Sequence, residues 1–189
     1  MSKQLRIDFV SDVSCPWCII GLKALEQALD KVQDVVRADI HFQPFELNPA
    51  MPAAGEDITE HLARKYGASE AQSAQTREMI RARGAELGGH QHALKLALFD
   101  AYFTRGENPG DHAVLLRAAT EAGLDPDQAA TVLADGSYAD AVREREAFYQ
   151  QAGINSVPAI IINERHLISG GQPVEVFEQA LRQIATTLS

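Results

Sequence analysis

Cys15 and Cys18 are the only cysteines in the chain, and Pro16 and Trp17 separate them. Two cysteines placed at random in 189 residues fall at this spacing only about 1% of the time. A pair this close can do one thing well: a thiolate on one residue attacks a disulfide, and the other thiol resolves the mixed disulfide that forms. Other uses of the pair are weaker. A disulfide closing so short a loop constrains little of the unfolded chain. A zinc site needs more ligands; there is no second Cys-x-x-Cys, and nothing puts the close pair His90 and His92 near Cys15. Redox chemistry is favoured over metal binding and over inert thiols.

Which thiol attacks depends on the elements around the pair. Leu5-Arg6-Ile7-Asp8-Phe9-Val10 alternates apolar and polar residues, as a strand does. Ile19, Leu22, Leu25, Ala28, Leu29 and Val32 follow at helical spacing. The motif therefore lies where a strand turns into a helix. Pro16 suits the first helical position, where a missing N–H costs nothing. Cys15 then sits at the helix N-terminus, beside unpaired N–H groups and the positive end of the dipole, which favours its thiolate. Cys18 lies about one turn further in.

At 189 residues the chain suits a single domain with a large insertion. Apolar residues make up 46%, enough for a sizeable core. A net charge of −9 and a pI near 5.1 argue against nucleic-acid or anionic-membrane partners. No apolar h-region precedes the first strand, and no run of 18 apolar residues occurs. The expected compartment is the cytoplasm, where a dithiol is usually kept reduced.

Val35 to Phe45 reads as a second strand, followed by the proline-rich connection Pro44 to Pro52. From about Ile58 to Gln151 the pattern becomes helical throughout. Ile58, Leu62 and Tyr66 mark one helix; Met79, Ile80, Arg83 and Leu87 a second; Leu94, Leu98 and Tyr102 a third. Val114, Leu115, Ala118, Ala119 and Ala122 mark a fourth that stops at Gly123. Asp125-Pro126-Asp127-Gln128 opens another as a capping box, and a last helix runs from about Tyr138 to Ala152. Val157-Pro158-Ala159-Ile160-Ile161-Ile162 is a buried-strand run, Asn163-Glu164-Arg165 a turn, and His166 to Ser169 a returning strand. Val174, Phe177, Leu181 and Ile184 close the chain with an amphipathic helix. The expected fold is α/β, with residues 1–52 and 153–189 forming βαβ and ββα halves and 53–152 a helical insertion.

That order resembles the thioredoxin fold, and the helical insertion resembles its DsbA-like branch, within it the FrnE-like group. The likeness rests on Ser11-Asp12-Val13-Ser14-Cys15-Pro16-Trp17-Cys18-Ile19-Ile20-Gly21, Pro44-Phe45-Glu46-Leu47-Asn48-Pro49, Ala97-Leu98-Phe99-Asp100-Ala101-Tyr102-Phe103, Ser156-Val157-Pro158 and Ser169-Gly170-Gly171-Gln172-Pro173. It departs between Gly89 and His90, where such relatives carry a couple of dozen more residues, including a helix facing the active site. The resemblance implies a thiol–disulfide oxidoreductase with Cys15 as nucleophile and Cys18 as resolving thiol. Pro158 would be cis and face the thiols, although only about 5–6% of X–Pro bonds in folded proteins are cis. Val157 would offer its backbone to an extended substrate, with Pro16 and Trp17 alongside. No bound cofactor and no metal are implied; the redox-active disulfide is the working group, with glutathione a candidate co-substrate. The expected partners are protein or small-molecule disulfides and thiols, and the protein would be a monomer or a homodimer.

Other polar residues carry blander readings. Trp17 is equally a packing residue or an exposed substrate contact. Asp12 would raise the pKa of a nearby thiol, but a loop-solvating role is favoured. Glu46 and Asn48 read as turn residues, and Arg81, Arg83, Arg143 and Arg145 as helix surface. Two other functions compete with exchange. A glutathione-dependent isomerase or transferase of the kappa or hydroxychromene-carboxylate type would not need Cys18. A non-catalytic peptide-binding protein would need neither cysteine.

Overall fold

The computed structural model describes residues 2–50 and 93–188. The first strand, β1, spans Lys3–Ser11 and leads through a short loop into helix α1, Pro16–Lys31. β2 (Val36–Pro44) runs parallel to β1, with Phe9 opposite Phe42. Among the described residues four helices come next: α2 (Ala93–Phe103), α3 (His112–Glu121), α4 (Pro126–Asp135) and α5 (Ala139–Gln151). The chain then returns as β3 (Ala159–Ile162), β4 (His166–Ser169) and α6 (Val174–Thr187). The sheet order is β2-β1-β3-β4, with β3 antiparallel to both β1 and β4. The βαβ and ββα units thus share one sheet, and the described helices α2–α5 lie between them in the chain. The helices expected around Ile58–Tyr66 and Met79–Leu87, and the His90–His92 pair, lie outside the described residues.

β1 is one of the two inner strands and is covered on both faces. Leu5, Ile7 and Phe9 are fully buried in one core with Leu22 and Leu25 of α1, Ile160 and Ile162 of β3, and Phe177 and Leu181 of α6. The alternation expected of β1 holds, but its polar face is not solvated. Asp8 is 3% exposed, because α5 lies over that face. Arg6 donates to the Asp8 carboxylate from Nε (3.0 Å) and an Nη (2.8 Å), and Gln43 Nε2 adds a third bond of 2.6 Å. Arg145 of α5 reaches down to Gln43 Oε1 at 2.9 Å. A buried carboxylate needs such donors to offset its lost hydration. Arg145 is therefore a bridge to the sheet rather than the plain helix surface its sequence neighbours suggested. Arg143 likewise pairs with Glu46 beyond β2 at 2.6 Å and with buried Glu146 at 2.9 Å.

Local signals set the helix ends. Asp125 accepts from the N–H groups of Asp127 and Gln128, with Pro126 at the first helical position, and Gly136 ends α4 in the left-handed conformation. The turn between β3 and β4 places Asn163 and Glu164 at positive φ (50° and 58°), and Asn163 is tied back to Arg6 through both backbone and side chain. In α2 the buried residues are Leu96, Phe99 and Ala101, not the expected Leu94–Leu98–Tyr102 stripe, whose members are half-buried. Ala93-Leu94-Lys95-Leu96-Ala97-Leu98-Phe99 is apolar almost all round, so periodicity alone could not choose its inner face.

Candidate active site

Cys15 is the N-cap of α1, extended at φ −89° and ψ 114°, and Pro16 is the first helical residue. Three residues before the motif begins, the loop is pinned by Asp12. Its Oδ1 accepts from the Ser14 N–H and hydroxyl, both at 2.8 Å, and its Oδ2 accepts from the Leu47 N–H at 2.9 Å. The Cys15 N–H donates to the Asp12 carbonyl (3.3 Å), and the Cys18 N–H to the Cys15 carbonyl (3.0 Å). Asp12 thus has both the loop role and the electrostatic role that its sequence position allowed.

The two thiols are unequal. Cys15 is 4% exposed and Cys18 fully buried. The neighbouring Cys18 thiol is the largest influence holding the Cys15 pKa below its ordinary value. The backbone N–H groups of Cys18 and Trp17 act in the same direction, against burial and the Asp12 carboxylate. Burial first, then the neighbouring sulfur, pushes the Cys18 thiol far up. One group is set to ionise and the other to stay protonated.

The second wall comes from the far end of the chain. Cys15 Sγ donates to the Val157 carbonyl at 3.5 Å. The Val157–Pro158 bond is cis, and both residues are buried. The Gly170 N–H holds the Pro158 carbonyl at 2.8 Å, tying this loop to the end of β4. The Val157 N–H has no partner among the described residues. Two glycines make the close packing possible. A Cβ on Gly21 would lie 2.9 Å from Pro158 Cγ and 3.1 Å from Gly171 Cα. A Cβ on Gly171 would lie 2.8 Å from the Trp17 carbonyl oxygen. Trp17 is half-buried, with its ring edge near Gly171, and Pro16 is half-buried at the mouth of the motif. The structure therefore brings Cys15, Pro16, Trp17, Cys18, Val157 and Pro158 into one site.

One side chain at this site has no counterpart in the sequence reading. Lys95 of α2 faces both thiols and Asp12 electrostatically. Its position was legible in principle: Lys95, Phe99 and Tyr102 fall at i, i+4 and i+7, so the cation lies in line with a buried aromatic.

A four-stranded mixed sheet, a Cys-x-x-Cys at the first helix start and a cis-proline loop against it define a thioredoxin-like protein. A family model, the DSBA-like thioredoxin domain, matches residues 6–182, and the chain belongs to that family. It is similar to the probable DsbA oxidoreductase SCO1869 of Streptomyces coelicolor, with a TM-score of 0.84 and 28% identity over 98% of this chain and 91% of that one. It is 27% identical to the uncharacterized protein YwbO of Bacillus subtilis (strain 168), covering 94% of this chain and 96% of the relative. That alignment runs over 203 positions against 189 residues here, so YwbO carries internal residues that this chain lacks. The fold is also that of 2-hydroxychromene-2-carboxylate isomerase, with a TM-score of 0.68 and 12% identity over 97% of this chain and all of that one.

Proposed function

We propose that the protein is a thiol–disulfide oxidoreductase working through Cys15 and Cys18. The observation that carries this reading is the asymmetry of the pair: a Cys15 thiol at the start of α1 with a depressed pKa, backed by a fully buried second thiol three residues on. The Cys15 thiolate attacks one sulfur of a substrate disulfide, forming a mixed disulfide and releasing a substrate thiolate. Cys18 then loses its proton to solvent and attacks Cys15 Sγ. The Cys15–Cys18 disulfide forms, the second substrate thiolate leaves, and two electrons have passed from protein to substrate. The reverse sequence oxidises a substrate dithiol. The Val157 N–H, which has no partner among the described residues, supports an extended segment lying against this loop, with Trp17 at its side. The substrates are protein or small-molecule disulfides, with glutathione a candidate co-substrate.

The test is Cys18→Ser. In a disulfide-reduction assay the variant should make one attack and then accumulate covalent adducts on Cys15, visible by non-reducing electrophoresis. Turnover as fast as the parent's would remove Cys18 from the reaction and favour a glutathione-dependent isomerase, a class that shares this fold.

A further inference from the structure

We propose that the cavity between α5 and the sheet face it covers is a binding site for a compact apolar carboxylate, anchored by Arg145. The cavity has a volume of about 460 Å³, within the usual size of small-molecule sites. One row of the sheet forms its base: Asp8 of β1, Ile161 of β3 and Leu167 of β4 stand opposite one another and all line it. The neighbours of Asp8 on β1, Ile7 and Phe9, turn to the other face, into the core with α1. The thiols and the cis-proline loop take no part: none of Cys15, Cys18, Val157 and Pro158 lines the cavity. The site is therefore separate from disulfide exchange and does not depend on that reading.

The lining specifies the ligand. Leu167 and Phe148 are 53% and 55% exposed, so an apolar group seated between them and buried Ile154 removes their surface from water. Arg145 supplies the charge. Its Cζ sits 5.4 Å from the Phe148 ring centroid and 5.5 Å from that of Tyr149, and its Nε donates to Gln43 Oε1 at 2.9 Å. Those contacts fix the guanidinium, and they leave its two Nη groups without a hydrogen bond among the described residues. A guanidinium held this way matches a carboxylate through two parallel N–H bonds. Tyr149 also lines the cavity, is 3% exposed, and has a hydroxyl with no hydrogen bond among the described residues. It offers the same ligand an O–H donor. Of the two acids in the lining, Asp8 is held by two bonds from Arg6, and Glu164 lies exposed in the β3–β4 turn beside Arg165. An inorganic anion would leave the apolar wall uncovered, and a hydrocarbon would leave the guanidinium unused.

The test titrates the whole 189-residue chain with 2-naphthoate by isothermal calorimetry. One site per chain should saturate, with a Kd of about 1 mM or tighter. 2-Naphthalenemethanol keeps the rings and drops the charge, and should bind at least about tenfold more weakly. In Arg145→Met that preference for the carboxylate should fall to about threefold or less. A general loosening of the fold would not produce this change, because both probes share the same rings. If Arg145→Met does not fold, Leu167→Asp at its exposed position places a carboxylate in the cavity and should weaken 2-naphthoate by about tenfold or more. The double variant Cys15→Ser with Cys18→Ser should bind like the parent. No saturation up to about 10 mM, equal binding of the two probes, or undiminished binding to Leu167→Asp would overturn the site. Loss of binding in the double cysteine variant would place the probe at the thiols and overturn it equally, while leaving the oxidoreductase reading untouched.

Discussion

The Cys15 thiol donates to the Val157 carbonyl across 3.5 Å, joining residues 142 positions apart. This bond closes the site: it sets the sulfur between the start of α1 and the loop entering β3. It is available only to the protonated thiol, since a thiolate has no proton to offer a carbonyl. Ionisation of Cys15 therefore frees the Val157 carbonyl, and the group that attacks and the backbone that meets a substrate are released together.

Cys15 should be alkylated first, and at a lower pH than an ordinary cysteine. Its pKa is held down by the Cys18 thiol and two backbone N–H groups, so its thiolate fraction rises with pH earlier than that of a free thiol, whose pKa is about 8.5. Limiting iodoacetamide, followed by peptide mass mapping across pH 5–10, should give a Cys15 midpoint below that value. Asp12 opposes this shift, so Asp12→Asn should move the midpoint lower still. Preferential labelling of Cys18 would reverse the assignment of the two thiols.

Gly21→Ala and Gly171→Ala should each loosen the site. The new methyl groups would meet the Pro158 ring and the Trp17 carbonyl oxygen at 2.9 and 2.8 Å, closer than nonbonded carbon tolerates. Over-packing of this kind costs about 1–3 kcal/mol. Denaturant unfolding should register that loss, and disulfide-exchange rates should fall with it. Unchanged stability in both variants would show that the loop moves freely away from α1.

Asp8→Asn should weaken the fold and flatten its acid response. Hydrogen bonds from Arg6 hold the Asp8 pKa below its ordinary value, with Gln43 adding to the effect against the cost of burial. The folded pKa lies below the unfolded one. The carboxylate's contribution is therefore complete above the unfolded value, about 3.9, and is lost as pH falls below it through the folded pKa. The substitution should cost about 1–3 kcal/mol at pH 7. Between pH 2 and 5 the parent should lose more stability than Asp8→Asn does; parallel curves would remove Asp8 from the acid transition.

Much of this was legible in the chain. Alternation in Leu5–Val10 and helical spacing from Ile19 onward placed Cys15 at a strand-to-helix junction, because both periods are strong and a proline marks the boundary. The turn at Asn163-Glu164-Arg165 and the cap at Asp125 were equally plain, each being set by a few adjacent residues. What the sequence could not supply was contact over long separations. Nothing local to Asp8 announces that α5 covers it, nor that Arg145, 102 positions from Gln43, reaches the sheet. Lys95 escaped notice for a related reason. In a segment apolar almost all round, a single cation reads as surface until packing decides which side of the helix faces the thiols.

The cis geometry at Val157–Pro158 is a fact of the structure that composition and spacing alone could not supply; the family resemblance did. The same holds for the pairing of that loop with Cys15. Val157-Pro158 opens a strand in any reading, whereas its place beside a thiol depends on β3 entering the sheet next to β1 in the antiparallel sense.

Redox equilibration with glutathione bears most directly on the proposed chemistry. The protein is held in buffers of graded reduced-to-oxidised ratio, quenched with acid, alkylated and weighed by mass spectrometry. A reversible dithiol predicts one two-electron transition between a form with two alkylated thiols and a form with an intact Cys15–Cys18 disulfide. Its midpoint should fall between about −270 and −120 mV, the range spanned by proteins of this fold. Accumulation of Cys15 joined to glutathione across the whole series, with Cys18 still alkylated and no internal disulfide, would contradict it.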